Sequence, residues 1–185
     1  MERTLIIFKP DAVMRGIIGE ILSRFEKVGL KIIGMKMLTP GDDLLKKHYS
    51  DDLIPIVGNK TKKDWDAYGV DYKETAEEIG KGIVDATRSF MQTAPVIAVV
   101  LEGGHSVEVV RKMVGSTGPK DSAPGTIRGD YAHLSLGRAS LQGRGAANLV
   151  HASGSVEEAN HEIALWFQQD ELFDYKLVHE HLTHV

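Results

Sequence analysis

A chain of 185 residues, 42% hydrophobic and 26% charged, is long enough for one compact domain that buries most of its apolar surface. Its net charge of −4 argues against a general nucleic-acid or membrane binder. The absence of cysteine excludes disulfides and thiol catalysis and fits a cytoplasmic protein, and the apolar run in MERTLIIFKPD is too short for a signal peptide or a transmembrane span.

The first element is TLIIF (Thr4–Phe8), a β-branched apolar run stopped by Lys9-Pro10-Asp11, which predicts a buried strand ended by the proline. Ile17, Ile21, Phe25 and Val28 then recur at helical spacing, with Ile18 and Leu22 widening the stripe and Gly29 placed to cap it. KIIGMKML (Lys31–Leu38) predicts a second strand, followed by a short helix around DDLLKKHY. Residues from about 51 to 82 are rich in charge and glycine and read as an inserted, partly helical surface excursion. PVIAVVLEG (Pro95–Gly103) is the clearest strand, and SVEVVRKMVG after it a helix with Val107, Val110 and Val114 inward. A glycine- and proline-bearing loop runs from Gly115 to Asp130, ANLVH is a short last strand, and SVEEANHEIALWF is a helix with Val156, Ala159, Ile163 and Trp166 on one face. Ser155 and Glu158 have capping-box spacing at its start. This order gives two βαβ halves: an α+β, ferredoxin-like split βαβ fold, a single domain over 1–185 whose four-stranded antiparallel sheet carries helices on one face. G-x-G-x-x-G and G-x-x-x-x-G-K-[ST] are absent, which argues against Rossmann and P-loop sites.

His151 lies between the last strand and the capped helix, followed by Ala152, Ser153 and Gly154. A half-buried histidine satisfied by backbone fits that position; so does a nucleophile, because neutral imidazole is nucleophilic near pH 7 and small neighbours beside a helix N-terminus leave room for an anion. Glu162, seven residues beyond Ser155, is either a solvated helix carboxylate or a partner reaching back to Ser153 or His151. In STGPKDSAPGTIRGD, Arg128 has Thr117 and Thr126 nearby, and Arg111 sits on the preceding helix; arginines among small residues suit phosphate oxygens as well as they suit surface salt bridges. Lys9 at a strand end offers a point charge, and Tyr49 at a helix end is either a core-edge tyrosine or a platform for a base. His179, His181 and His184 in the C-terminal HEHLTHV leave a metal-binding regulator as a third reading, with no acidic cluster or cysteine to define a site.

Taken together, ERTLIIFKPDAVMRGIIGEILSRFEKVGLKIIGMKM, APVIAVVLEG, PGTIRGD, NLVHASGS and EIALWF resemble a nucleoside diphosphate kinase over nearly the whole chain apart from two insertions. The resemblance implies transfer of the γ-phosphate of a nucleoside triphosphate to a nucleoside diphosphate, in two half-reactions through a phosphohistidine on His151. It implies Mg²⁺, held mainly through nucleotide phosphates. Lys9, Tyr49, Arg111, Thr117, Arg128 and Asn148 match the nucleotide-holding positions, Lys9 and Asn148 those at the ribose 3′ hydroxyl, and Ser153 and Glu162 the pair that orients the histidine. Ile83 and Thr87 take the places of the usual base-stacking residues, and Gly154 that of an aspartate. The second insertion, about 137–147, adds Arg138 and Arg144 and is expected to be a surface loop rather than a lid over the site. A homo-oligomer, tetramer or hexamer, is implied, with no nucleic-acid or membrane partner. A non-catalytic nucleotide-binding or scaffold module on the same fold is the alternative of a different class.

Overall fold

The run TLIIF lies within strand β1 (Glu2–Phe8), and its burial on both sides decides the architecture. A computed structural model describes residues 1–178 and 180–183. After β1 come α1 (Pro10–Met14), α2 (Ile18–Lys27), β2 (Lys31–Leu38), α3 (Asp42–His48), α4 (Leu53–Ala67) and α5 (Ala76–Phe90). Then follow β3 (Val96–Gly103), α6 (Ser106–Val114), α7 (Ile127–Tyr131), α8 (Leu136–Leu141), β4 (Val150–Ala152), α9 (Val156–Trp166) and the short α10 (Glu180–Thr183). The sheet order is β2-β3-β1-β4, and every pairing is antiparallel. This is the α+β, ferredoxin-like topology expected from the element order.

Helices cover both faces of the sheet, which corrects the one-face expectation. Ile6 and Phe8 of β1 pack with Ile21 and Phe25 of α2 and with Val110 and Val114 of α6. Leu5 and Ile7 pack on the other side with Leu45 of α3 and with Ile163 and Trp166 of α9. A strand buried on both faces has no polar alternation to show, so its sequence is a continuous apolar run.

Local chemistry sets several boundaries. α2 stops at Val28, and Gly29 follows at φ 88, a left-handed conformation that glycine adopts without a Cβ penalty. On α9, Ala159, Ile163 and Trp166 are buried, but Val156 is exposed because it lies in the first turn, beyond the cover of the core. Ser155 Oγ accepts from Glu158 N, whereas the Glu158 carboxylate accepts from Gly154 N, one residue before a regular capping box would place it.

Residues 51–82 contain all of α4 and the first half of α5. The two helices form a hairpin crossing at Gly58 and Gly80, where an added Cβ would meet Ala76 O at 1.8 Å and Ile54 O at 2.0 Å respectively. The Gly115–Asp130 stretch carries a 3₁₀ turn at Pro119–Asp121 and the start of α7. Residues 137–147 are not simply a surface loop: they hold most of α8, which Trp65 of α4 fastens by donating to Gly137 O at 2.9 Å. Of the C-terminal histidines, His181 is exposed on α10, while His179 and His184 lie outside the described residues. Among the described residues no helix is long and apolar enough to cross a membrane.

Candidate active site

His151 is on β4, paired with Ile7 of β1. Cross-strand partners share a face of the sheet, so the imidazole is on the side covered by α3 and α9. The strand expected from Ala147 onward is interrupted at Leu149, whose φ is 71. A branched residue in that conformation is strained; it is held there because its N–H donates to Asp11 Oδ2 at 3.0 Å and its carbonyl accepts from Lys9 N at 2.8 Å. Those bonds tie the entry of β4 to the exit of β1 and bring Lys9 and His151 together.

His151 Nε2 stands 2.8 Å from Glu162 Oε1 and 3.0 Å from Oε2. Ser153 Oγ donates to Oε2 at 2.5 Å. A carboxylate accepts, so the imidazole proton belongs on Nε2 and the lone pair is left on Nδ1. Burial lowers the His151 pKa to about 3, with Lys9, Arg128 and Arg111 adding repulsion and Glu158 opposing them; the ring is neutral at physiological pH. Burial raises the pKa of Glu162, opposed by His48 and the Ser153 bond.

His48 completes this cluster and was not singled out from sequence. Trp166 Nε1 donates to its Nδ1 at 3.2 Å, and its ring meets His151 edge-on at 4.5 Å between centroids. Burial, then His151, lowers its pKa to about 3, so it packs as a neutral wall behind the His151 imidazole. The signal available was its place in KKHY, directly before Tyr49. His48, His151 and Glu162 put one ligand-type atom each within 4.8 Å of one another, but the Glu162 oxygens already serve His151 and Ser153. Glu162 is hydrogen-bonded to His151 and Ser153, and His48 only packs against that chain, an arrangement that suits orientation of the imidazole better than a metal cage.

Three cations face the histidine. Lys9 is buried, donates to Ala146 O at 3.0 Å, and is lowered to about 7 by burial and then by Arg128, against Asp11. Arg111, exposed on α6, donates to Ala152 O at 3.3 Å. Arg128 is buried, and its guanidinium donates to Asn148 O, Gly115 O, Ser116 O and Val150 O at 2.6–3.1 Å. With four of its five N–H groups engaged, Arg128 braces the backbone and presents its charge more than a free donor fork. Burial, then Arg111, lowers its pKa to about 10.

Asn148 Nδ2 donates to Thr117 O at 2.8 Å. Asn148 Oδ1 and Tyr49 Oη are buried without a partner among the described residues, and burial raises the tyrosine pKa. The site residues expected from sequence, apart from Ser153, line one cavity of about 580 Å³, and His48 lines it with them. Ile83 and Thr87 of α5 line it as well. So do Val57 and Asp64 of α4 and Leu136 and Ser140 of α8, which sequence reasoning missed because their contribution depends on how the two helices pack. A neutral imidazole with a bare Nδ1, ringed by cations, can accept an anionic electrophile and neutralise charge that develops on it.

The family model described as nucleoside diphosphate kinase matches residues 2–53 and 71–172. The chain is 46% identical over 175 residues to a nucleoside diphosphate kinase of Pyrococcus furiosus, covering 95% of this chain and 88% of that one. It superposes on a solved NDP kinase from Pyrobaculum aerophilum with a TM-score of 0.88 at 40% identity, covering 94% of this chain and 99% of the other. It also superposes on a transition-state mimic of the enzyme from Borrelia burgdorferi with bound vanadate and ADP, with a TM-score of 0.81, 38% identity and coverage of 97% and 94%.

Proposed function

The chain belongs to the nucleoside diphosphate kinase family, and we propose that Nδ1 of His151 is the atom through which it passes a phosphoryl group from a nucleoside triphosphate to a nucleoside diphosphate. The observation that carries this reading is the pairing of His151 Nε2 with Glu162 at 2.8 Å. It leaves the Nδ1 lone pair for the cavity where Lys9, Arg111 and Arg128 gather.

In the first half-reaction the Nδ1 lone pair attacks the γ-phosphorus. The bond from that phosphorus to the bridging oxygen breaks, its electron pair leaves with the nucleoside diphosphate, and an N–P bond forms. Charge moves onto the imidazole, and Glu162 balances it through Nε2–H. The second half-reaction is the reverse, with a different diphosphate. Because the transition state is loose, the protein's work is positioning and charge neutralisation. Lys9, Arg111 and Arg128 supply the positive charge, with Thr117 beside them. Lys9 and Asn148 hold the ribose 3′ hydroxyl, and the unpartnered Asn148 Oδ1 and Tyr49 Oη are groups that a bound nucleotide would satisfy. Ile83 and Thr87 lie against the base, and Ser153 with Glu162 fixes the histidine.

Mg²⁺, held mainly through the nucleotide's own phosphates, would add positive charge beside Lys9, Arg111 and Arg128 during transfer. The phosphate end of the cavity offers cations, an amide and hydroxyls; of its two carboxylates, Glu162 is held by His151 and Ser153 and Glu158 accepts from Gly154 N. That donor set fits a hard ion carried by substrate better than one caged by protein.

We infer further that the protein is cytoplasmic and works as a homo-oligomer, a tetramer or hexamer. β2 is an edge strand with Met35 and Met37 more than half exposed, an apolar rim that a second copy would cover. A light-scattering mass equal to one chain would remove that inference.

The activity is tested by incubation with labelled ATP and Mg²⁺. An acid-labile, alkali-stable phosphoprotein that passes its label to GDP is expected. An unlabelled wild type, or equal labelling of His151→Ala, would overturn the assignment of His151.

A further inference from the structure

The chain between α7 and β4 runs along the cavity as a strap. Leu136, Ala139, Ser140, Arg144, Ala146 and Asn148 line the cavity in turn along it. At its far end Trp65 of α4 grips it: the indole N–H is shared between Gly137 O at 2.9 Å and Ser140 Oγ at 3.1 Å. Gly137 lies so close to α4 that an added Cβ would be 2.9 Å from the Tyr68 ring and 3.2 Å from Asp64 Cβ. Tyr68 Oη stands 3.2 Å from Ser135 Oγ and accepts from Lys120 Nζ at 2.8 Å.

At its near end the strap meets the phosphate site. Ala146 O accepts from Lys9 Nζ at 3.0 Å, and among the described residues that carbonyl is the ammonium's one hydrogen-bond partner. What lies between is bonded to itself. Gln142 N and Arg144 N donate to Ala139 O, and Gly143 N donates to Ser140 O, which closes the end of α8 into a tight turn. Gly145 then presses on α5, where an added Cβ would be 2.6 Å from Ala86 O. Ala147 N donates to Gly145 O and Asn148 N to Ala146 O. A contiguous bonded segment of this kind can carry the position of one end to the other.

The indole of Trp65 lies outside the cavity lining, and residues 54–70, most of α4, fall between the two spans that the family model matches. We propose that Trp65 is a positioning residue for nucleotide binding: by gripping Gly137 and Ser140 it sets the strap, and through Ala146 O it sets the Lys9 ammonium that meets the phosphates. The proposal rests on the nucleotide-binding reading above and extends the site to a helix that touches no phosphate.

Calorimetric titration of the full-length protein with ADP at fixed pH tests it, with urea denaturation showing that each variant is folded. Trp65→Phe keeps an aromatic ring in place but loses both bonds to the strap. Its affinity for ADP is expected to fall about three- to tenfold, the scale of one hydrogen bond. Lys9→Met weakens ADP binding on its own account. In the Lys9→Met background Trp65→Phe should cost nothing further, because the strap then has no ammonium to place. Tyr68→Phe keeps the ring against Gly137 and loses only the Ser135 and Lys120 contacts, so it should show the same pattern at smaller size. Unchanged affinity in both Trp65→Phe and Tyr68→Phe, or losses that simply add to that of Lys9→Met, would overturn the proposal while leaving the nucleotide-binding reading intact. A wild type that binds no ADP would overturn that reading and the proposal with it.

Discussion

The carboxylate of Glu162 joins two residues two positions apart at the end of β4: His151 Nε2 is 2.8 Å from Oε1, and Ser153 Oγ, just past the strand, is 2.5 Å from Oε2. Both partners donate. Glu162→Gln puts an amide N–H₂ where one of them needs an acceptor, so the imidazole loses either its orientation or its tautomer. The rate of phosphoenzyme formation in rapid-quench experiments is expected to fall about 10- to 100-fold, with KM moving less than kcat. Ser153→Ala leaves the His151 contact in place and should cost only about several-fold.

Lys9 titrates near neutrality, with a pKa lowered to about 7 by burial. Its charged form exists below that pH and is lost above it. A bound phosphate restores the charge and raises the pKa, so nucleotide binding at pH 8 takes up a proton. Calorimetry in buffers of different ionisation enthalpy should register that uptake, and affinity should weaken as pH rises from 7 to 9. In Lys9→Met the uptake at pH 8 should vanish.

Arg128→Lys keeps a positive charge but loses the fork that reaches Asn148 O, Gly115 O, Ser116 O and Val150 O. An ammonium cannot satisfy these buried carbonyls together. Stability from urea denaturation should fall by about 3 kcal/mol, roughly one for each lost bond beyond the first.

The α4–α5 crossing tolerates no side chain. Gly58→Ala would place a Cβ 1.8 Å from Ala76 O, backbone that cannot rotate away. A loss of about 2–3 kcal/mol, or about 5–10 °C in Tm, is expected. Gly80→Ala acts at the same crossing, so the double variant should lose less than the sum of the two.

Much of this was legible in the chain because the signals are local. The apolar runs around Ile6 and Val99, the helical spacing of Ile21 and Phe25, and the small residues after His151 each bear on a few neighbouring positions. The same run that marked β1 also carried the evidence for two covered faces: Leu5, Ile6, Ile7 and Phe8 are all fully buried, and a one-sided sheet would have alternated. What stayed hidden depends on distant packing. His48 gains its setting from Trp166, 118 residues away, and α8 from Trp65, 72 residues from Gly137. The segment around it, GRASLQGRGAA, reads as a loop because three glycines interrupt it and no local period marks a helix that is held by another helix's indole.

Arg128 has a further consequence. Among the described residues no carboxylate lies within ion-pair distance of it, and its bonds go to carbonyl dipoles. Dipoles soften a charge without cancelling it. A chain of net charge −4 therefore carries a positive well at the floor of one cavity, deepened by Lys9 and Arg111. Such a field draws anionic solutes across solution before any contact forms, and dissolved salt flattens it within about 10 Å at 0.1 M. The rate at which this protein meets its nucleotides is thereby tied to the ionic strength around it.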